Sequence, residues 1–177
     1  MIKICISGLT ASGKTTLGNL LEKELGIRHI KSSYKSNVSN TEELIRFIKN
    51  IDAKYVKKFD NDIIEQSRNI DCIVSTWHGP WIIKDATIRV WLEVSEKERA
   101  RRWSKAHNIS IREATKIVRL KDKYTIKQFK LAYKKDRDMS IFDLYLNYEK
   151  VTQSEAVSII SMLALSRSKS KSMIDEI

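Results

Sequence analysis

The stretch IKICISGLTASGKTT (2–16) constrains this chain more than any other part of it. Residues 2–7 form a short apolar run rich in β-branched side chains, the pattern of a strand buried on both faces. Gly8-Leu9-Thr10-Ala11-Ser12-Gly13-Lys14-Thr15 follows as a complete G-x-x-x-x-G-K-[ST] motif. Behind it Leu17, Leu20, Leu21 and Leu25 recur at helical spacing as far as Gly26, a natural C-cap. Strand, glycine-framed loop and helix in that order let backbone N–H groups turn inward, and they set the positive end of the helix where a phosphate binds. A G-x-G-x-x-G dinucleotide loop is excluded, because Thr10 and Ala11 fill the positions it needs. Gly8 through Thr16 therefore read as a triphosphate site. In it Lys14 bridges the β- and γ-phosphates, Thr15 ligates Mg²⁺, and Thr16 adds a further contact. The motif gives nucleotide binding and leaves ATPase, GTPase and small-molecule kinase open.

The rest of the chain alternates strands with helices. Strands are expected at 27–31, 70–76, 87–94 and 143–148, and a polar loop at 31–40. Thr41 opens a helix to about 49, and Asp52 caps another to about 68. WHGPW (77–81) reads as a turn on Gly79-Pro80. Ser95 caps a helix over 96–107 that Asn108 ends. Ser110 with Glu113, and Thr152 with Glu155, are capping boxes for helices over 111–135, with room for a break, and 153–165. The Ser/Lys-rich end, 166–177, is expected to fray. Five strands separated by helices imply a parallel sheet covered on both faces, a three-layer α/β domain. Five glycines and one proline argue against a turn-rich all-β fold.

At 177 residues the chain is the size of one domain and needs no disulfide staples. Cys5 and Cys72 lie in apolar runs and read as buried thiols of a reduced compartment. No apolar run is long enough for a membrane span, so the expectation is a soluble cytoplasmic protein.

Charge is unevenly placed. Of a formal +11, residues 95–137 hold +10, from fifteen basic and five acidic side chains. That segment is a surface for a polyanion, nucleotide phosphate or nucleic-acid backbone. With few aromatics and many long charged side chains, it is expected to pack loosely and close on ligand. The domain then divides into a core, 1–94 and 138–165, and a lid at about 95–137.

The order of residues resembles archaeal-type cytidylate kinase, within the P-loop nucleoside monophosphate kinases. The likeness runs through SGLTASGKTT, FDNDIIEQS (59–67), Trp81, Lys84-Asp85-Ala86, IRVWLEVSEKERARR (88–102), Asn108-Ile109-Ser110, and Ser140 to Leu144 followed by Leu146-Asn147. It implies a P-loop kinase fold with a five-stranded parallel sheet and a helical lid. It also implies phosphoryl transfer from ATP to a monophosphate, CMP or dCMP. Arg99 and Arg102 fall at the start of the lid and Lys121 on a lid arginine, which with Lys14 gives the catalytic set. Arg119 would close with them. Asp143 reads as structural.

The acceptor side departs from that pattern. The loop after strand two is Ser32-Ser33-Tyr34-Lys35-Ser36 in place of an acidic residue and an arginine. After strand three the family's E-G-R becomes Ser75-Thr76-Trp77, and its late-lid R-Y becomes Gln128-Phe129. Lysine supplies charge without the bidentate fork of arginine. Lys31, Lys35 and Lys57 are the replacement cations for the acceptor phosphate. Tyr34, Trp77 and Trp81 are stacking surfaces for a base or core aromatics, and one of Asp60 and Asp62, which do not share a helix face, is placed to meet a base or ribose, Asp60 being the one carried into the acceptor set. Two rival readings stay open: a kinase for another small acceptor, and a nucleotide-gated protein whose basic 95–137 surface binds RNA or DNA.

Overall fold

The computed structural model describes residues 1–31 and 41–174, with side chains described except at 41–42 and beyond 168. Twelve elements are described: β1 (Lys3–Gly8), α1 (Lys14–Leu25), β2 (Arg28–Lys31), α2 (Thr41–Asn50), α3 (Ala53–Gln66), β3 (Cys72–Ser75), α4 (Gly79–Ile82), β4 (Ile88–Glu93), α5 (Glu96–His107), α6 (Ile111–Tyr133), β5 (Leu144–Asn147) and α7 (Gln153–Ile174). All strand pairs are parallel and the sheet order is β2-β3-β1-β4-β5. The central strand β1 is buried at every position, as its unbroken apolar run requires.

Alternation along β1 divides the core into two layers. Ile4 and Ile6 face Leu17 and Leu21 of α1 and Ile160 of α7. Cys5 faces the opposite layer, with Ile63 of α3 and Ile82 of α4. Helices therefore cover both faces, the three-layer arrangement expected. Both cysteines are free and buried, and burial raises both thiols, Cys72 to about 11. Among the described residues no helix is long and apolar enough to cross a membrane.

Local signals set the helix ends. Asp52 accepts the Tyr55 N–H, and Ser95 and Ser110 accept those of Glu98 and Glu113. Thr152 and Glu155 bond reciprocally, Thr152 N–H to Oε2 at 2.8 Å and Glu155 N–H to Oγ1 at 3.2 Å. Asn108 takes the left-handed conformation that ends α5.

Three expectations are corrected. The turn at WHGPW contains a short helix, Gly79–Ile82, because Pro80 sits in the first turn, where its missing N–H costs nothing. The C-terminal helix does not stop at 165 but runs to Ile174. Arg167 ties the early part of that extension to the sheet, donating to Asp143 Oδ1 at 2.7 Å and to the Thr87 carbonyl at 3.0 Å. The basic stretch is not loosely packed: α6 is one unbroken helix that buries Ala114, Ile117, Val118, Phe129 and Ala132 among others.

Candidate active site

The phosphate loop leaves the carboxyl end of β1 at the middle of the sheet, where open α/β folds bind their ligands. Gly8 has φ +152°, and a Cβ there would come within 2.7 Å of the Leu92 carbonyl. Gly13 has φ +103°, with the Tyr148 ring behind it. Both positions need glycine for sign of φ and for space. The first intrahelical bond of α1 runs from Leu17 N–H to the Gly13 carbonyl at 3.0 Å, so the amides of Lys14, Thr15 and Thr16 precede the helical ladder. No side chain caps this terminus. It is open to an anion.

Lys14 lies folded back on its own loop, with Nζ donating to the carbonyls of Gly8 (2.9 Å) and Leu9 (3.0 Å). Its ammonium stands 5.6 Å from the Trp77 ring centre. Burial lowers its pKa to about 7, helped by the charges of Lys121 and Arg99 and opposed by Asp122. The side chain is thus poised to regain its full proton when phosphate arrives.

Two arginines of α5 hold the loop. Arg99 is buried and donates to the Val94 and Thr10 carbonyls at 3.1 Å and to Asp122 Oδ2 at 2.7 Å. Asp122 of α6 also accepts the Thr10 N–H at 2.9 Å, so one carboxylate joins α6, α5 and the loop. Arg102 donates to the Ser12 carbonyl at 3.1 Å, the Tyr148 carbonyl at 3.3 Å and Glu98 at 2.9 Å. In this arrangement Arg99 and Arg102 brace the backbone of the loop, and neither lies loose over it. Lys121 rests on the Trp103 ring at 5.1 Å, its pKa lowered by burial. Arg119 faces outward and pairs with Glu96 at 2.6 Å.

On the acceptor side the expected residues separate. Asp60 is buried and turned inward: Oδ2 accepts from Tyr133 Oη at 2.6 Å and lies 2.8 Å from His78 Nδ1. This corrects the expectation that Asp60 faces a base or ribose, since its carboxylate is spent on an internal network. His78 is buried against Phe129, with the two rings 5.1 Å apart. Trp81 is a wall residue, its indole N–H donating to the Asp138 carbonyl at 2.7 Å and its ring packed on Phe129 and Phe142. Trp77 is partly exposed and faces Lys14. Tyr34 and Lys35 lie outside the described residues. Lys31 is exposed and reaches Asn19 Oδ1 at 3.3 Å, while Lys57 lines an outer groove with Lys54, Lys58 and Lys134. Neither is drawn to the loop. Asp143 is structural as expected, accepting from the Arg89 N–H and from Arg167 at 2.7 Å.

One residue escaped the sequence. Arg137, in the segment joining α6 to β5, brings its guanidinium carbon to 5.2 Å from the Trp77 ring centre, 5.3 Å from Trp81 and 6.0 Å from Trp91. Within KKDR (134–137) it looks like one more solvated charge. Only the fold reveals the aromatic cage.

A glycine-framed loop at the end of the central strand, braced by two arginines of α5 and a carboxylate of α6, is the site of a P-loop nucleotide-binding protein. Solved structures agree at the level of fold: the shikimate kinase of Bacteroides thetaiotaomicron superposes with a TM-score of 0.61 at 16% identity, over 92% of this chain and 97% of that one. The model of the cytidylate kinase-like family matches residues 31–150, and the chain belongs to that family. It is similar to the cytidylate kinase of Sulfurisphaera tokodaii, 30% identical over 165 residues, which span 89% of this chain and 92% of the relative. That of Thermococcus kodakarensis is 29% identical over 151 residues, 81% and 78% of the two chains. The protein is a kinase of the nucleoside monophosphate type.

Proposed function

We propose that the protein transfers the γ-phosphoryl group of ATP to CMP or dCMP, giving the diphosphate and ADP. The observation that carries this reading is Lys14, a lysine of lowered pKa held at the mouth of an uncapped helix terminus and shared with Trp77 at the acceptor edge. Family membership and the two curated relatives support CMP or dCMP as the acceptor.

The amides of Lys14, Thr15 and Thr16 take the triphosphate. Lys14 exchanges its loop carbonyls for β- and γ-oxygens, gaining its proton as it does so. Arg99, Arg102 and Asp122 keep the loop in its receiving shape before the nucleotide arrives, so that reorganisation does not precede binding. Lys121 adds positive charge from the lid side. The donor set fits Mg²⁺ delivered with the nucleotide. Thr15 is exposed and offers one hydroxyl, and the described residues contain no cluster of three His, Cys, Asp or Glu to hold a metal by themselves. Mg²⁺ would neutralise phosphate charge there. Trp77 stands beside the transfer point with Lys14 over its ring. The basic outer faces of α5 and α6 leave room for a polyanion, and the rival nucleic-acid reading predicts affinity that collapses between about 50 and 200 mM salt.

The test is a screen of CMP, dCMP, UMP, AMP and GMP with MgATP, reading ADP release. CMP or dCMP should lead, and Lys14→Ala should cut turnover by about 100-fold or more while circular dichroism stays unchanged. Absence of transfer to every monophosphate, or an unimpaired Lys14→Ala, would refute the reading.

A further inference from the structure

We propose that Arg137 is the guanidinium that grips phosphate on the acceptor side of the loop, taking the place of the arginine that the family pattern sets at position 77. The inference rests on the kinase reading for its reaction, but its physical basis is independent of the acceptor.

The other arginines drawn in from the surface have their edges occupied. Arg99 donates to two carbonyls and Asp122, Arg89 to the carbonyls of Pro80, Ile83 and Lys84, and Arg102 to Glu98 and two carbonyls. Arg137 is held differently. Three indoles fix it by their faces, while its Nη1 is buried and meets no hydrogen-bond acceptor among the described residues. A cation needed only for packing would have its N–H groups paired, because burying them unpaired is costly. Stacking positions the plane of a guanidinium without consuming its donor edge, and that edge matches the bidentate geometry of phosphate. Burial depresses the Arg137 pKa, and the charge of Asp122 offsets part of that effect.

Position is the second argument. Lys14 Nζ and the Arg137 guanidinium lie 5.6 Å and 5.2 Å from the same indole, Trp77. The two cations thus share one indole as neighbour, which sets Arg137 at the loop end of β3 and not out on the surface. Trp77 itself stands where the family pattern has arginine. The cation has been moved, not lost: it enters from the segment after α6 and lies on the ring that replaced it.

Two measurements test this. Kinetics with MgATP and CMP should show Arg137→Met, which keeps side-chain volume, lowering kcat/KM for CMP by about 100-fold, with the KM for ATP changed less than threefold. Arg137→Lys should recover only part of the loss, having charge without the fork. The second measurement is a titration with inorganic pyrophosphate, read by the fluorescence of the caging tryptophans. The wild type should respond, and Arg137→Met should bind at least tenfold more weakly. If Arg137→Met melts with loss of structure, Arg137→Lys decides by the same two readings. CMP kinetics and pyrophosphate affinity within threefold of wild type would overturn the assignment, even if the melting temperature fell. Should the wild type phosphorylate no monophosphate, the kinase reading fails by itself, and the pyrophosphate titration alone upholds or overturns Arg137.

Discussion

Asp122→Ala offers the most direct test of how α5 and α6 support the loop. The carboxylate is 8% exposed and its partner Arg99 4%, so the pair lies out of water. Removal leaves Arg99 with two carbonyls but no counter-charge, and it strips the Thr10 N–H of its acceptor. Breaking one side of a buried pair costs about 3–5 kcal/mol, and an orphaned buried N–H about 1–3 kcal/mol. The two overlap in a single carboxylate, so a total of about 4 kcal/mol is expected. That is a large share of the roughly 5–15 kcal/mol that holds a domain together. At about 2–4 °C per kcal/mol for a chain of this size, the midpoint should fall by roughly 10 °C.

Urea unfolding followed by circular dichroism gives the free energy. Asp122→Asn should fall between wild type and Asp122→Ala, since the amide oxygen still accepts from Thr10 while the charge is gone. The double change Arg99→Met with Asp122→Leu should recover most of the stability, because an apolar pair of similar volume replaces a buried ion pair at little cost. It should not recover ATP affinity, because the Thr10 amide stays unsupported. Should Asp122→Ala lose less than about 1 kcal/mol, or the double variant lose the sum of both singles, the clamp described here does not exist.

Two further outcomes follow from the same geometry. Lys14, with its pKa lowered to about 7, should take up a proton when MgATP binds above that pH, approaching one per nucleotide near pH 8; calorimetry in buffers of different ionisation enthalpy measures it, and heats independent of buffer would refute it. Gly18→Ala should destabilise by about 1–3 kcal/mol despite the better helix former, because a Cβ there overlaps the His29 ring that Asn19 and Ser75 hold in place; a raised melting temperature would show the ring has room to move.

What was legible in the sequence is what depends on neighbours along the chain. The phosphate loop is a local object, and so are the caps at Asp52, Ser95, Ser110 and Thr152, whose partners lie three residues away. The five strands followed from apolar runs that alternate with helical periods. The far end of α7 was missed because SRSKSKS has no apolar stripe; its anchor, Arg167, works through Asp143 and Thr87, far off in sequence. Net charge misled for α6. A count of basic residues predicts a loose lid, whereas one acid among them, Asp122, ties the helix to Thr10, 112 residues away.

The acceptor side was less legible, for a more instructive reason. Position-by-position comparison with the family pattern registers Trp77 as the loss of a cation and treats Arg137 as part of a charge run. Neither reading survives the fold, in which the guanidinium lies over the ring. A tryptophan face accepts a cation at its centre and leaves the donor edge of that cation free. Trp77 therefore holds a charge it does not carry, and Trp81 and Trp91 close round the same guanidinium. Asp60 shows the converse. It lies on the helix where an acceptor contact was expected, but Tyr133 and His78 claim it from inside, so its place in sequence says nothing of its exposure. The fold alone decides which side chains the α6–β5 segment returns to the end of β3, and no spacing in the sequence encodes that return.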